Sequence, residues 1–178
     1  MTARFKGFTL VELLIVIAII GVLAVVVLVA INPIEQLAKT RDAGRISTVT
    51  QVGHAIQAYY TSHATLAAQY PQIATWDTDI TGSGELSVFP SAIGYSAYAV
   101  TACTENVING NCYDLDVATG LGAIAYARLE SNNQNTKCTT PPEVAYVVFS
   151  SGDGRGGVVC ADPATELDPW AAGSQTYQ

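Results

Sequence analysis

The sequence predicts an α+β fold, in which a long N-terminal helix is followed by an antiparallel β-sheet. Residues 8–31 read FTLVELLIVIAIIGVLAVVVLVAI, and the uncharged part, residues 13–31, is long enough for a helix to cross a bilayer. Apolar residues then recur at helical spacing over residues 34–62. Short runs rich in Tyr, Val and Ala follow between turn residues, which is typical of strands. We expect the apolar half of the helix to protrude and the second half to pack one stripe on the sheet.

The two helical stretches predict a single helix of about 50 residues, roughly 75 Å long. Pro33 ends the uncharged run, and a proline inside a helix removes a hydrogen bond and kinks the helix. Alternatively, Pro33 lies in the first turn of a second helix that Asn32 caps. Gly21 is a second weak point, or it only lets neighbouring helices approach closely.

The rest of the chain has the pattern of a sheet. Residues 65–84 contain one proline and two glycines and predict a loop-rich connector. The predicted strands are residues 95–102, 113–117, 123–129, 144–149 and 158–161; residues 123–129 also fit a helix, but their neighbours favour a strand. A Ser-Gly-Asp-Gly-Arg-Gly-Gly stretch separates the last two strands and predicts a turn.

The charges near the start of the chain are few and unusually placed. Arg4 and Lys6 precede the apolar run, and basic flanks remain on the cytoplasmic side of a membrane, so we expect the C-terminal part outside the cytoplasm. Glu12 is a lone carboxylate at the fifth position counted from Phe8. An ionisable side chain in an apolar span is costly, and this indicates a functional residue.

Residues 6–13, KGFTLVEL, resemble the processing signature of type IV prepilins and pseudopilins. The resemblance implies that a prepilin peptidase cuts between Gly7 and Phe8 and that the new amine of Phe8 is methylated. It also implies that Glu12 meets the Phe8 amine of a neighbouring subunit during assembly. The alternative is that Glu12 extends to the lipid headgroups or bonds the amine of its own subunit, with no role in assembly. In similar pilins a glycine and a proline bracket a helix segment that can melt in the filament, and Gly21 and Pro33 could do so here.

The resemblance divides the chain into four segments. Residues 1–7 are a leader that is removed, and residues 8–31 are a transmembrane helix that becomes the filament core. Residues 32–64 are the amphipathic half of the helix, and residues 65–178 form a disulfide-containing β head. The implied partners are the prepilin peptidase, the inner-membrane pilus assembly machinery and other copies of the same subunit. The precursor would lie in the inner membrane and the processed subunit in an extracellular filament.

The charge balance is acidic, with a formal net charge of −7 over 178 residues. Without residues 1–7, six basic residues face 15 acidic ones, which gives −9. From residue 47 onward the counts are three basic and 12 acidic, so the negative charge lies in the C-terminal part. Nucleic acid is therefore not predicted as a partner, because binding to phosphate depends on basic residues.

Four cysteines allow three pairings. We predict Cys103 with Cys112, which flank an Asn-Gly hairpin signal, and Cys138 with Cys160, which flank the last predicted hairpin. Each bridge would add about 3 kcal/mol by the chain-entropy estimate. Disulfides persist in oxidising compartments, which agrees with an exported C-terminal part.

No metal, cofactor or catalytic residue is predicted. Gly152-Asp153-Gly154 is similar to part of a metal-binding loop, and some pseudopilin heads hold calcium near such a hairpin, to which Asp162 and Asp168 could contribute. A tight hairpin turn is the favoured interpretation. His54 and His63 are too far apart in sequence to share a helix face as ligands, and no nucleophile elbow occurs.

The sequence thus favours a structural subunit of a type IV pilus and not an enzyme. The nearest alternative is a pseudopilin of a type II secretion system. An extracytoplasmic binding domain on a single anchor is a third possibility, although a plain anchor needs neither the Gly7-Phe8 junction nor Glu12. An exported enzyme is the weakest alternative.

Overall fold

The computed structural model describes residues 7–63, 70–95, 106–115, 122–164 and 175–178. Two long α-helices and a five-stranded antiparallel sheet make up most of it, which confirms the predicted α+β class. The chain divides into two compact units, Met1–Leu37 and Ala38–Gln178, and each is described by itself.

Asn32 separates helix α1 (Leu10–Ile31) from helix α2 (Pro33–Ser62), so the prediction of one continuous helix of about 50 residues is wrong, and the alternative with Pro33 in the first turn of a second helix is confirmed. Asn32 between them has φ 44° and ψ 78°, a left-handed conformation that asparagine tolerates. A proline disfavours the α conformation of the preceding residue, which explains the interruption. The Asn32 side chain accepts a hydrogen bond from the Glu35 N–H (3.4 Å), so Asn32 caps α2.

The first unit has an uncovered apolar surface. Every residue of α1 is exposed, and the exposed apolar side chains continue through Ile34 and Leu37. Gly21 lies inside α1 without interrupting it. A Cβ built on Gly21 would meet no atom within 4 Å, so packing within the chain does not require glycine there.

The second unit contains the sheet, whose strand order follows the chain. The strands are β1 (Val107–Ile108), β2 (Asn111–Leu115), β3 (Ala123–Arg128), β4 (Val144–Ser150) and β5 (Arg155–Ala161), and all neighbours are antiparallel. The last four match predicted strands, although β5 begins three residues earlier than expected. The strand predicted at residues 95–102 lies almost wholly outside the described residues.

Both predicted hairpin turns are present. Asn109 (φ 52°) and Gly110 (φ 77°) connect β1 to β2, in the two-residue geometry that an Asn-Gly pair favours. Residues 151–154 connect β4 to β5, with Ser150 opposite Arg155 and with Gly154 at φ 63°. Arg155-Gly156-Gly157, which were predicted as part of this turn, belong to β5.

The connector predicted at residues 65–84 contains a helix that the sequence reasoning did not anticipate. Helix α3 (Trp76–Gly82) buries Trp76 and Ile80, which lie one turn apart on the same face. The indole of Trp76 stacks on Tyr113 of β2 at a centroid distance of 5.2 Å. Burial of Trp76 and Ile80 stabilises a helix in a stretch where Gly82 and Gly84 favour a loop.

Helix α2 packs on the sheet through the face that carries Val49, Val52 and Ile56, all of them buried. Gly53 allows α2 to approach the sheet closely. A Cβ on Gly53 would lie 2.1 Å from Cγ and 2.3 Å from Cδ1 of Phe149, a buried residue of β4. Only glycine therefore fits between α2 and this ring.

A buried cluster of charges joins α2 to the chain after β3. Asp42 Oδ1 accepts the Glu130 N–H (2.9 Å), and Asp42 Oδ2 accepts the Ser131 N–H (2.8 Å). Arg45 donates to Asp42 (2.8 Å) and to Glu130 (3.2 Å). Arg41 forms an ion pair with Glu130. Two cations thus face two carboxylates, so each buried charge has an opposite charge beside it.

Arg45 extends the cluster to a third segment. Its Nη2 donates to Gly94 O (3.0 Å), and its guanidinium lies 3.8 Å from the centre of the Tyr95 ring. Burial raises the pKa of the Tyr95 hydroxyl to about 12. The hydroxyl donates to Arg128 O at the end of β3 (3.0 Å).

The structure confirms the disulfide between Cys138 and Cys160, which closes a loop with a sequence separation of 22. By the chain-entropy estimate this bridge contributes about 3 kcal/mol. Cys112 is also disulfide-bonded. Cys103 lies outside the described residues, and its predicted pairing with Cys112 stays a prediction.

The contact between Gly53 and Phe149 predicts that Gly53→Ala destabilises the full-length protein by about 1–3 kcal/mol, the usual cost of overpacking a core. Urea denaturation in detergent, followed by tryptophan fluorescence, measures the change. Gly82→Ala is the control, because a Cβ there meets no atom within 4 Å. A Gly53→Ala protein as stable as the Gly82→Ala protein would contradict the packing argument.

The buried charge cluster predicts that Asp42→Ala costs about 3–5 kcal/mol, because Arg45 would be left buried without its nearest carboxylate. The two N–H groups that Asp42 accepts would also lose their partner. Lys39→Ala on the exposed side of α2 is the control and should change stability by less than about 0.5 kcal/mol. The same denaturation measurement compares the two variants, and equal stabilities would refute the role of Asp42.

Candidate processing and assembly segment

The predicted cleavage site lies immediately before α1. Gly7 and Phe8 are in no regular secondary structure and are both exposed, and Phe8 retains 78% of its exposure. The peptide bond between them is therefore accessible to a second protein. The leader residues Arg4 and Lys6 lie outside the described residues.

Gly7 is not required by the fold of its own segment. A Cβ built on it meets no atom within 4 Å, and its φ lies outside the left-handed region that favours glycine. If glycine is needed at this position, the requirement comes from whatever binds the segment.

Thr9 and Glu12 form a capping box at the N-terminus of α1. Thr9 is the N-cap, and its Oγ1 accepts a hydrogen bond from the Glu12 N–H (3.2 Å). In return, Glu12 Oε2 accepts the Thr9 N–H (2.9 Å) and the Thr9 hydroxyl (2.8 Å). The carboxylate also lies at the positive end of the helix dipole, where negative charge is favoured.

Thr9 is the residue that the sequence reasoning missed in this segment. The sequence marks Glu12 as a lone carboxylate, and the structure gives this carboxylate two neutral donors, the N–H and the hydroxyl of Thr9. The signal was readable, because a threonine followed three residues later by a glutamate ahead of an apolar run is the pattern of a capping box.

The other predicted site residues are not brought together with this segment. Asn32 and Pro33 mark the junction of the two long helices, and Gly21 lies within α1. Among the described residues, no group of three or more His, Cys, Asp or Glu side chains could hold a metal ion. Asp153, in the turn considered for calcium, accepts a hydrogen bond from the Tyr177 hydroxyl (2.9 Å). Asp168 lies outside the described residues.

Neither histidine belongs to a group of possible metal ligands among the described residues. His54 is exposed on α2 and contacts the edge of Phe149 at a centroid distance of 5.2 Å. His63 stacks on Tyr59 at 3.9 Å. Both therefore pack against aromatic rings.

Helix α1 has the dimensions of a membrane span. Its 22 residues give a length of about 33 Å, close to the thickness of a bilayer's hydrocarbon core. Of the helices in the described part of the chain, it alone is long and apolar enough to cross a membrane, judged by length and composition.

Comparison with known proteins identifies the segment. Residues 2–28 match the family model of the prokaryotic N-terminal methylation motif. No curated protein and no solved structure matches the chain. The chain therefore carries a type IV pilin-like prepilin signature, and this motif together with the apolar helix α1 fits a membrane-anchored precursor of the type IV pilin or pseudopilin type.

Proposed function

We propose that this protein is a structural subunit of a type IV pilus and not an enzyme. A prepilin peptidase removes residues 1–7, the new amine of Phe8 is methylated, and the subunits polymerise through α1 into an extracellular filament. The observation that carries the proposal is the methylation motif lying directly on a helix with no buried residue.

The exposed surface of α1 supports polymerisation. Its side chains are almost all Leu, Ile, Val and Ala, and apolar surface of this extent is unfavourable in water. A membrane covers such a helix in the precursor. After processing, neighbouring copies of the same helix provide the equivalent apolar surroundings, so assembly keeps this surface away from water.

Glu12 supports the same proposal through charge. Cleavage after Gly7 creates an ammonium at Phe8 and removes Arg4 and Lys6, so the processed segment keeps one cation and one carboxylate. Inside a bundle of apolar helices each charge needs the other, because an unpaired buried charge is strongly unfavourable. We infer that Glu12 of one subunit pairs with the Phe8 ammonium of its neighbour and helps to set the register of the incoming subunit.

A pseudopilin is the second candidate, because the methylation motif supports both kinds of protein. The two differ in where the filament lies. Electron microscopy of sheared surface material, labelled with an antibody to residues of the sheet unit, tests the choice. Labelled surface filaments support the pilus, whereas their absence from cells that contain the processed subunit favours the pseudopilin.

We predict that the N-terminus of the protein in cells is a methylated Phe8. Mass spectrometry of the N-terminal peptide measures this directly. Gly7→Val should remain uncut without loss of folding, because Gly7 has open space around it and the fold does not need glycine there. An intact leader on the unmodified protein, or a start beyond Ile31, would contradict the proposed processing.

We predict that Glu12→Ala reduces the yield of sheared filaments at least tenfold, while subunit level, cleavage and the disulfides stay normal. The reason is that the Phe8 ammonium would have no carboxylate to meet. Glu35→Gln is the control, since it removes a carboxylate in the first turn of α2, outside the apolar helix. Normal filament yield from a Glu12→Ala strain would refute the role of Glu12 in assembly.

A further inference from the structure

The capping box consists only of atoms that remain after the proposed cleavage. Its donors and acceptors are the amide and hydroxyl of Thr9 and the amide and carboxylate of Glu12. The Gly7–Phe8 bond lies on the N-terminal side of all of them. Removal of the leader therefore leaves the arrangement intact in the processed subunit.

The capping box uses one oxygen of the carboxylate. Both hydrogen bonds from Thr9 go to Oε2 of Glu12, at 2.9 Å from the amide and 2.8 Å from the hydroxyl. Among the described residues, Oε1 of Glu12 accepts no hydrogen bond. An ionised carboxylate has acceptor positions on both oxygens, so Oε1 can still receive an N–H donor while Oε2 holds the cap.

Thr9 also fixes the direction of a flexible side chain. A glutamate loses much rotamer freedom when it is ordered, which weakens any contact that must order it first. Here two hydrogen bonds from the N-cap already hold the carboxylate beside the first turn of α1. The side chain of Glu12 has therefore already lost its rotamer freedom before a second subunit binds. Pre-organisation of this kind favours association.

We propose that Thr9 is a positioning residue for assembly: it holds Oε2 of Glu12 and thereby presents Oε1 to the Phe8 ammonium of the neighbouring subunit. This inference rests on the proposed function. The threonine hydroxyl is essential to it, because the hydroxyl donates to the carboxylate and accepts from the Glu12 amide at the same time. Serine can replace both bonds, whereas valine has the same shape and can make neither.

A purely structural role for Thr9 would differ in one respect. If Thr9 only begins the helix, its loss should weaken assembly equally whether residue 12 is glutamate or glutamine, because either side chain can complete a capping box. If Thr9 acts through the charge on Glu12, its loss should matter only when the carboxylate is present. The two roles are therefore separated by a double-mutant comparison.

The experiment measures incorporation of variant subunits into filaments in cells that also express the wild-type subunit. Peptide mass spectrometry gives the variant fraction in sheared filaments, divided by its fraction in the processed membrane pool, so any effect on cleavage is removed. The variants are Thr9→Val, Thr9→Ala, Thr9→Ser, Glu12→Gln and the double variant Thr9→Val with Glu12→Gln. Wild-type subunit carrying a silent mass label provides the reference.

We expect Thr9→Val and Thr9→Ala to lower incorporation at least fivefold and Thr9→Ser to stay within twofold of the reference. The double variant should incorporate as Glu12→Gln does. Wild-type incorporation of Thr9→Val, or a further drop of the same factor in the double variant, would overturn the positioning role while leaving the proposed function standing. A wild-type subunit that is neither cleaved nor found in filaments would instead overturn the proposed function itself.

Discussion

The second unit depends on the carboxylate of Asp42. This buried group accepts two main-chain N–H groups from the segment that follows β3 and pairs with Arg45 one helical turn away. It thus fixes the position along α2 at which the sheet is attached. Hydrophobic attraction has no preferred direction, whereas the hydrogen bonds from three donors to one carboxylate fix both distance and angle. The apolar packing of α2 on the sheet therefore takes place in a register that the charges set.

The close contact at Gly53 follows from this register. With α2 attached at Asp42, Gly53 lies against the ring of Phe149, where there is no space for a Cβ. The bridge between Cys138 and Cys160 links the segment before β4 to β5, and two tight turns connect β1 to β2 and β4 to β5. The unit therefore combines a charge-fixed helix, a closely packed ring and a covalent link across its last hairpin.

Features set by neighbouring residues could be read from the sequence, and features set across the fold could not. The apolar helix, the Asn109-Gly110 turn and the strands β2 to β5 each follow from a local pattern. The Asp42 cluster joins residues 88 positions apart, and no local pattern indicates such a pair. Helix α3 was missed because burial of Trp76 against Tyr113 outweighs the glycines around it. The break at Asn32 and the Thr9 cap were local, and both were readable from known helix-end preferences.

The first unit satisfies the polar groups at the start of α1 within a few residues of sequence, whereas the second unit pairs Asp42 with groups far along the chain. At the N-terminus of α1 the capping box of Thr9 and Glu12 satisfies main-chain donors within three residues. At its C-terminus Asn32 adopts the left-handed conformation that ends α1 and begins α2. The N-terminal cap of α1 is thus made by residues of the same segment, and it needs no donor or acceptor from the surroundings. Under the proposed function the same apolar surface would serve in a membrane and in a filament, and Oε1 of Glu12, which accepts no hydrogen bond from the described residues, would be the polar group that meets a neighbouring subunit.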